Sequence, residues 1–299
     1  MTESMGYKST MAMNFVGGNT TNFNSSSLRL EFLSHDIKES IELEQDEGLR
    51  GTRTRNAERV ALGNVKVAGS VTLEPTPIEL NALLPFILGS AATAGAFTPS
   101  ETLPDLYLMI DQVNEVNTLL VRVNKATFTG EPGKKLKLKL DLVGKTLFQA
   151  AAGSFPVSIP PVDLSARPYM FWDSGSGITI AGTQYAFDKF ELAIDHKITP
   201  TYMQGQYATD LEPTDRQVTL SIQTRYTSTE AILFAAIRSG MPQSASLAFT
   251  NGTSTLGFTF GKLLGTSESV TIPGRQHLRL PLKYQAYGIG TTRDLIVNA

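Results

Sequence analysis

The residue types that most often do chemistry are sparse in this chain. His35, His196 and His277 stand far apart, and with no cysteine in 299 residues there is no thiolate, no disulfide and no thiolate zinc site. No histidine has a second one at H-x-x-x-H spacing, and none has a serine and an acid placed to suggest a nucleophilic triad. The stretch "DSGSGIT" (173–179) has two glycines but lacks the third glycine and the following helix of a dinucleotide loop. "HDIKESIELE" (35–44) is rich in carboxylates, yet its spacing defines no acid–base pair. No enzyme, metal or cofactor is expected.

A stretch with more apparent purpose is "EPGKKLKLKLDLVGK" (131–145), where Lys135, Lys137 and Lys139 alternate with Leu136, Leu138 and Leu140. Such a strand lines three ammonium groups along one face, as a phosphate-binding row would. The whole chain argues against that use. It carries 26 basic and 28 acidic side chains, a net charge of −2, whereas a protein that grips DNA has a clear basic excess. The lysines therefore read as the solvated or subunit-facing side of a half-buried strand, with contact to a DNA-carrying lumen as the alternative. A near-neutral chain can still surround DNA without gripping it.

At 41% hydrophobic and 18% charged residues, the chain has the composition of a folded protein. Its length suits one large domain or two ordinary ones. "MTESMGYKST" lacks the basic and then apolar order of a secretory signal, and the apolar run from Leu80 to Phe97 is short and broken by Pro85, Gly89 and Gly95. Residues 1–27, rich in Gly, Asn, Ser and Thr, read as an extended arm with little to bury. Period-two alternation then predicts half-buried strands at "SLRLEF", "NVKVAGSVTL" (64–73), "LYLMI" (106–110), "LLVRV" (119–123) and "KLKLKLDL". Between the second and third of these, Thr76, Pro77 and Glu79 form a capping-box start. Leu80, Leu83, Leu84 and Ile87 form one apolar helical stripe, and Gly89 a stop.

The same series recurs after about residue 185. "KFELAI" (189–194), "QVTLSIQTRY" (217–226), the helix "TSTEAILFAAIRSG" with stripe residues Ala231, Phe234 and Ile237, "LGFTFGKL", and "IPGRQHLRLPLKYQAYG" follow in matching order. Gly89 and Gly240 are 151 positions apart, and Leu136 and Leu278 are 142 apart; the longer insert "SAATAGAFTPSETLP" of the first copy explains the difference. This reads as a tandem duplication. The expected division is an arm (1–27), a first unit (28–145), a Pro/Gly-rich linker and hairpin (146–184), a second unit (185–290) and a tail (291–299). The fold class is mainly β, with one short helix in each of two tandem sandwich or barrel units.

The "VTLEPTPIELNALLPFILGS" strand–helix unit and the "EPGKKLKLKLDLVGK" closing strand, each with its echo, resemble the tail tube proteins of long-tailed bacteriophages. The resemblance covers about residues 28–145 and 185–290. It implies two tube domains per chain, trimeric rings that mimic a hexamer, and stacking of those rings into a homopolymer that conducts the genome. It further implies a place in the virion tail, assembly in the host cytoplasm, and contacts with tape measure, terminator and distal tail proteins. Double-stranded DNA would pass without specific binding, and no membrane is involved. Only "IGTTRDLIVNA" follows Gly288, so no additional immunoglobulin-like domain is expected. In this family the loop after the first strand often joins one ring to the next. That role falls here on Glu42, Glu44, Asp46, Glu47, Arg50, Arg53, Arg55 and Arg59, and in the second copy on Tyr202, Met203 and Tyr207. The alternatives are an inner tube of a contractile tail or related injection device, and a carbohydrate- or ligand-binding β-sandwich.

Overall fold

A computed structural model of the chain describes residues 6–14, 23–45, 48, 54, 57–131, 133–170, 177–266, 278–289 and 293–299. His277, Asp46, Glu47, Arg50, Arg53 and Arg55 lie outside the described residues, as do the side chains of 228–230. The first half runs β1 (Thr10–Asn14), β2 (Leu28–Leu30), β3 (Phe32–His35), β4 (Lys38–Glu44), β5 (Ala61–Leu73), α1 (Pro77–Leu88), β6 (Ala96–Phe97), β7 (Leu106–Asp111), β8 (Glu115–Gly130) and β9 (Lys137–Ala151). The second half runs β10 (Gly177–Ile180), β11 (Thr183–Tyr185), β12 (Lys189–Asp195), β13 (Ile198–Thr201), β14 (Asp210–Pro213), β15 (Gln217–Arg225), α2 (Ser228–Arg238), β16 (Gln243–Thr250), β17 (Thr255–Thr266), β18 (Arg279–Tyr287) and β19 (Leu295–Asn298). The fold is mainly β, with extensive antiparallel sheets consistent with β-sandwich packing.

The alternating sequences fold as their period demands. On β9, Leu138, Leu140 and Leu142 are buried while Lys137 and Lys139 face out. Two sets of strands recur with one connectivity. In the first half the pairs are β4–β5, β5–β9, β9–β8, β8–β7, β7–β1 and β1–β2. In the second they are β12–β15, β15–β18, β18–β17, β17–β16, β16–β10 and β10–β11. The register repeats as well: Gly69 and Val71 stand opposite Leu142 and Leu140, as Leu220 and Ile222 stand opposite Tyr284 and Leu282. Strand β8 passes from its β7 partner to another neighbour through register shifts at Leu120/Val121 and Val123/Lys125, irregularities that bend a strand from one layer into the next.

Helix α1 forms because its ends are satisfied locally. Thr76 Oγ1 accepts the Glu79 N–H, the Glu79 carboxylate accepts the Thr76 N–H at 2.9 Å, and Pro77 supplies a preset first turn. The same carboxylate also accepts the Glu31 N–H at 2.7 Å, tying the helix start to the chain just before β3. Gly89 ends the helix at φ 85°, and a Cβ there would sit 2.3 Å from the Thr102 carbonyl oxygen, so only glycine fits. Leu80, Leu83, Leu84 and Ile87 are all fully buried. In α2 the buried pair is Leu233 and Ile237, four residues apart; Phe234 is half-buried beneath the Arg238 guanidinium, and Ala231 is half-buried. Ile237 packs directly on Gly265 of β17, where a Cβ would come within 2.7 Å of it.

Two segments differ from the sequence reading. Thr10–Asn14, within the arm expected to bury little, is a strand between β2 and β7 with Met11, Ala12 and Met13 fully buried. The polar residues around that short apolar run hide its value as a core strand. Thr146–Ala151, placed in the linker, extends β9 and pairs with the start of β8. The hairpin before the second half forms as β10–β11, closed by Ala181 and Gly182, both at positive φ, a two-residue turn that matches strand twist.

Candidate assembly interface

Strands β4, β5, β9, β8, β12, β15, β18 and β17 pair in that order, four from each half. The seam is the β8–β12 pair, with Phe190 opposite Gly130 and Asp195 opposite Lys125. The outward side chains of this sheet are polar and of both signs: Lys125, Lys137, Lys139, Asp141, Lys189, Glu191, Asp195, Arg279 and Lys283. Several of its lysines have a carboxylate beside them. Lys135 meets Glu74 at 2.9 Å, Lys139 meets Asp141 at 3.1 Å, and Lys189 meets Glu131 at 3.5 Å. This mixed, paired surface is not a row of ammonium groups held open for phosphate.

The two ends of the sheet are the positional matches of its seam. Through the shared register, Ile194 of β12 corresponds to Glu39 of β4, since each faces the matching residue of its neighbour, Val218 and Val67. Val121 of β8 corresponds to Leu263 of β17, facing Gly144 and Ala286. Inside the chain the outer side of β12 is covered by β8. Among the described residues, no strand pairs with the outer side of β3 and β4, nor with the second side of β17 beyond Leu263.

Away from the seam, the β13–β14 hairpin leans from the second half onto the first. The Val65 N–H donates to the Gln206 carbonyl at 2.7 Å, Tyr202 Oη donates to the Val65 carbonyl at 3.4 Å, and Tyr207 Oη donates to Glu39 Oε1 at 3.1 Å. Ile198, Ala208 and Leu211 pack with Leu103, flanked by Val143 and Tyr202. Arg122 and Lys145 hold Asp105 at 2.6 and 3.3 Å and Asp210 at 3.4 Å each, and Arg122 also donates to the Leu211 carbonyl. Tyr202 and Tyr207, expected between rings, thus touch the chain's own first half, while Met203 is exposed. Glu42 pairs with Lys66 across the β4–β5 ladder; Glu44 and Arg59 are exposed. The sequence could not reveal Arg122, Lys145 and Asp210 as one cluster, because Asp210 on β14 is distant in the chain from β8 and β9, which carry the two cations.

His196 closes this junction. Its Nε2 lies 2.7 Å from the Ile87 carbonyl at the end of α1, and since a carbonyl only accepts, Nε2 carries the proton. Burial lowers the pKa of His196 below its ordinary 6.5, with the Ile87 bond, Asp195 and Asp294 opposing and Arg216 adding to the shift. The unfolded chain therefore takes up a proton first as pH falls. The stability held by neutral His196 is complete above 6.5 and is lost downward from there to the lowered folded value. His196→Gln should flatten the fall of melting temperature across that window; an unchanged slope by calorimetry would remove His196 from the acid response. His35, also lowered by burial, keeps its own share in both proteins.

A mainly antiparallel β-sandwich protein, with one polar sheet face and, among the described residues, an unpaired outer edge at β3 and β4, is the class these features define. A family model described as phage tail tube protein matches residues 6–286, and the chain belongs to that family. It is a structural component of a phage tail. Comparison with curated proteins gives no match. Among the described residues, no helix is long and apolar enough to cross a membrane.

Proposed function

We propose that three copies of this chain close into a ring, and that stacked rings form the tube through which the phage genome leaves the virion. The observation that carries the reading is the match between β12, which pairs with β8 at the seam, and β4, whose outer side has no partner strand among the described residues. If β17 of one chain meets β4 of the next as β8 meets β12, each junction repeats the one already built inside the chain. A heterologous contact of this kind closes into a ring when its rotation allows. Closing also covers the outer edge of β3 and β4, which a solitary subunit would present to any passing strand.

Three chains at eight inner strands each give a barrel wall about 24 Å in radius, for ~4.8 Å strand spacing and ~40° tilt. Two chains would give roughly 16 Å, which side chains would narrow to a close grip on a duplex. The polar face would line the bore, its lysines offset by Asp141, Glu131 and Glu74. A wall whose lysines are partly paired with carboxylates holds a polyanion less tightly than an open basic row, and conduction needs no catalytic group. Tape measure, terminator and distal tail proteins are the partners this role implies, with assembly in the host cytoplasm. Negative-stain microscopy of the purified protein tests the reading: tubes or stacked rings support it, and a protein that stays monomeric at all concentrations overturns it.

A further inference from the structure

The β13–β14 hairpin has a positional match in the first half, and the match is uncovered. The Leu43–Leu62 pair occupies the register of Ile198–Pro213, and Glu44–Ala61 that of Thr199–Glu212. By the same register Val60 matches Leu211 and Arg59 matches Asp210. Ile198 and Leu211 are 8% and 0% exposed because they rest on the first half, whereas Leu43 and Leu62 are 56% and 60% exposed, with Ile41 and Val60 also open. An apolar strand edge of that size is a liability unless something covers it.

What it would land on is also present. The first-half landing site of β13–β14 is Arg122 and Lys145, with Leu103 just before β7. Arg122 faces Val143, and Leu264 faces Gln285, so Leu264 stands where Arg122 does, and Tyr287 where Lys145 does. Met241 lies just before β16, as Leu103 lies just before β7. The two charged groups are replaced by Leu264 and Tyr287; Tyr287 and Met241 are 43% and 63% exposed. The other side changes in concert: the acid Asp210, which binds two cations, is replaced by Arg59, whose guanidinium suits the Tyr287 ring.

We propose that the β4–β5 stem of one chain, through Ile41, Leu43, Arg59, Val60 and Leu62, docks on the Met241–Leu264–Tyr287 patch of the next copy in the same ring. The contact repeats between chains what β13–β14 does within one, and it rests on the ring reading above. It places Arg59 inside a ring rather than between rings.

The absence of cysteine makes the test clean. Chains carrying Arg59→Cys are mixed with chains carrying Tyr287→Cys, assembled, and treated with a short bis-maleimide. Covalent dimers should exceed those of either single variant alone by at least about tenfold, since docking raises the local concentration of the pair. Normal tubes without this cross-link overturn the docking proposal and leave the tube reading standing; wild-type protein that never assembles overturns both. The Leu43→Glu/Leu62→Glu variant gives a second arm. It should fold with an unchanged circular dichroism spectrum and fail to form rings, and rings at wild-type yield would also overturn the proposal.

Discussion

Leu83→Asp should abolish the folded protein. Leu83 is fully buried on α1 beside Leu80, Leu84 and Ile87, in the core cluster that includes Val121, Phe128 and Leu140. A carboxylate placed there has no cation within the cluster, so it must be buried unpaired or take up a proton, and the leucine contacts are lost as well. The cost is about 4 kcal/mol or more, against a total stability of about 5–15 kcal/mol for an ordinary domain. The expected outcome is insoluble protein, or a soluble chain whose thermal transition is lost or lowered by well over ten degrees. A soluble variant with the wild-type melting temperature would remove Leu83 from the core.

The second large effect separates the seam from its open match. Ile194 points its N–H toward β8, as His196 does when it donates to the Asn124 carbonyl at 2.8 Å. Proline at 194 removes that ladder bond from a strand paired on both sides and deletes a fully buried side chain, costing about 3 kcal/mol or more. Glu39 is the positional match. Asp36 donates its N–H to Ser70 at 3.0 Å, so alternation turns the Glu39 N–H away from β5, toward the open edge. Glu39→Pro should therefore keep the subunit folded, since edge strands tolerate proline where the N–H faces out. It should stop ring closure, because the edge can no longer donate. Circular dichroism and sedimentation of the two variants check this pair of outcomes. Wild-type assembly by Glu39→Pro would mean that this edge is not paired in the tube.

How much was legible depended on how local the cause was. The start and stop of α1 are set by Thr76, Glu79 and Gly89 within one short segment, and those residue types announce themselves. The alternating leucines of β9 fix which face is buried, because period two leaves no other choice. In α2 the stripe was ambiguous: Ile237 is buried where β17 offers Gly265, and Leu233, one turn earlier, is buried with it, a choice that depends on a strand far along the chain. Met11 and Met13 were missed for a similar reason: the strand they form is decided by β2 and β7, not by their polar neighbours. The seam between β8 and β12 left no trace in either sequence, since a ladder between distant strands uses backbone groups every residue has. The Arg122–Lys145–Asp210 cluster depends on that seam and was equally out of reach.

The account turns on the claim that each chain supplies two equivalent units of one closed ring. Native mass spectrometry of rings released from assembled protein measures this directly. Ring masses at three chains, and multiples of three for stacks, are the expected result. A stable single ring of six chains would contradict the account, because the seam inside each chain could then not be the contact that closes the ring.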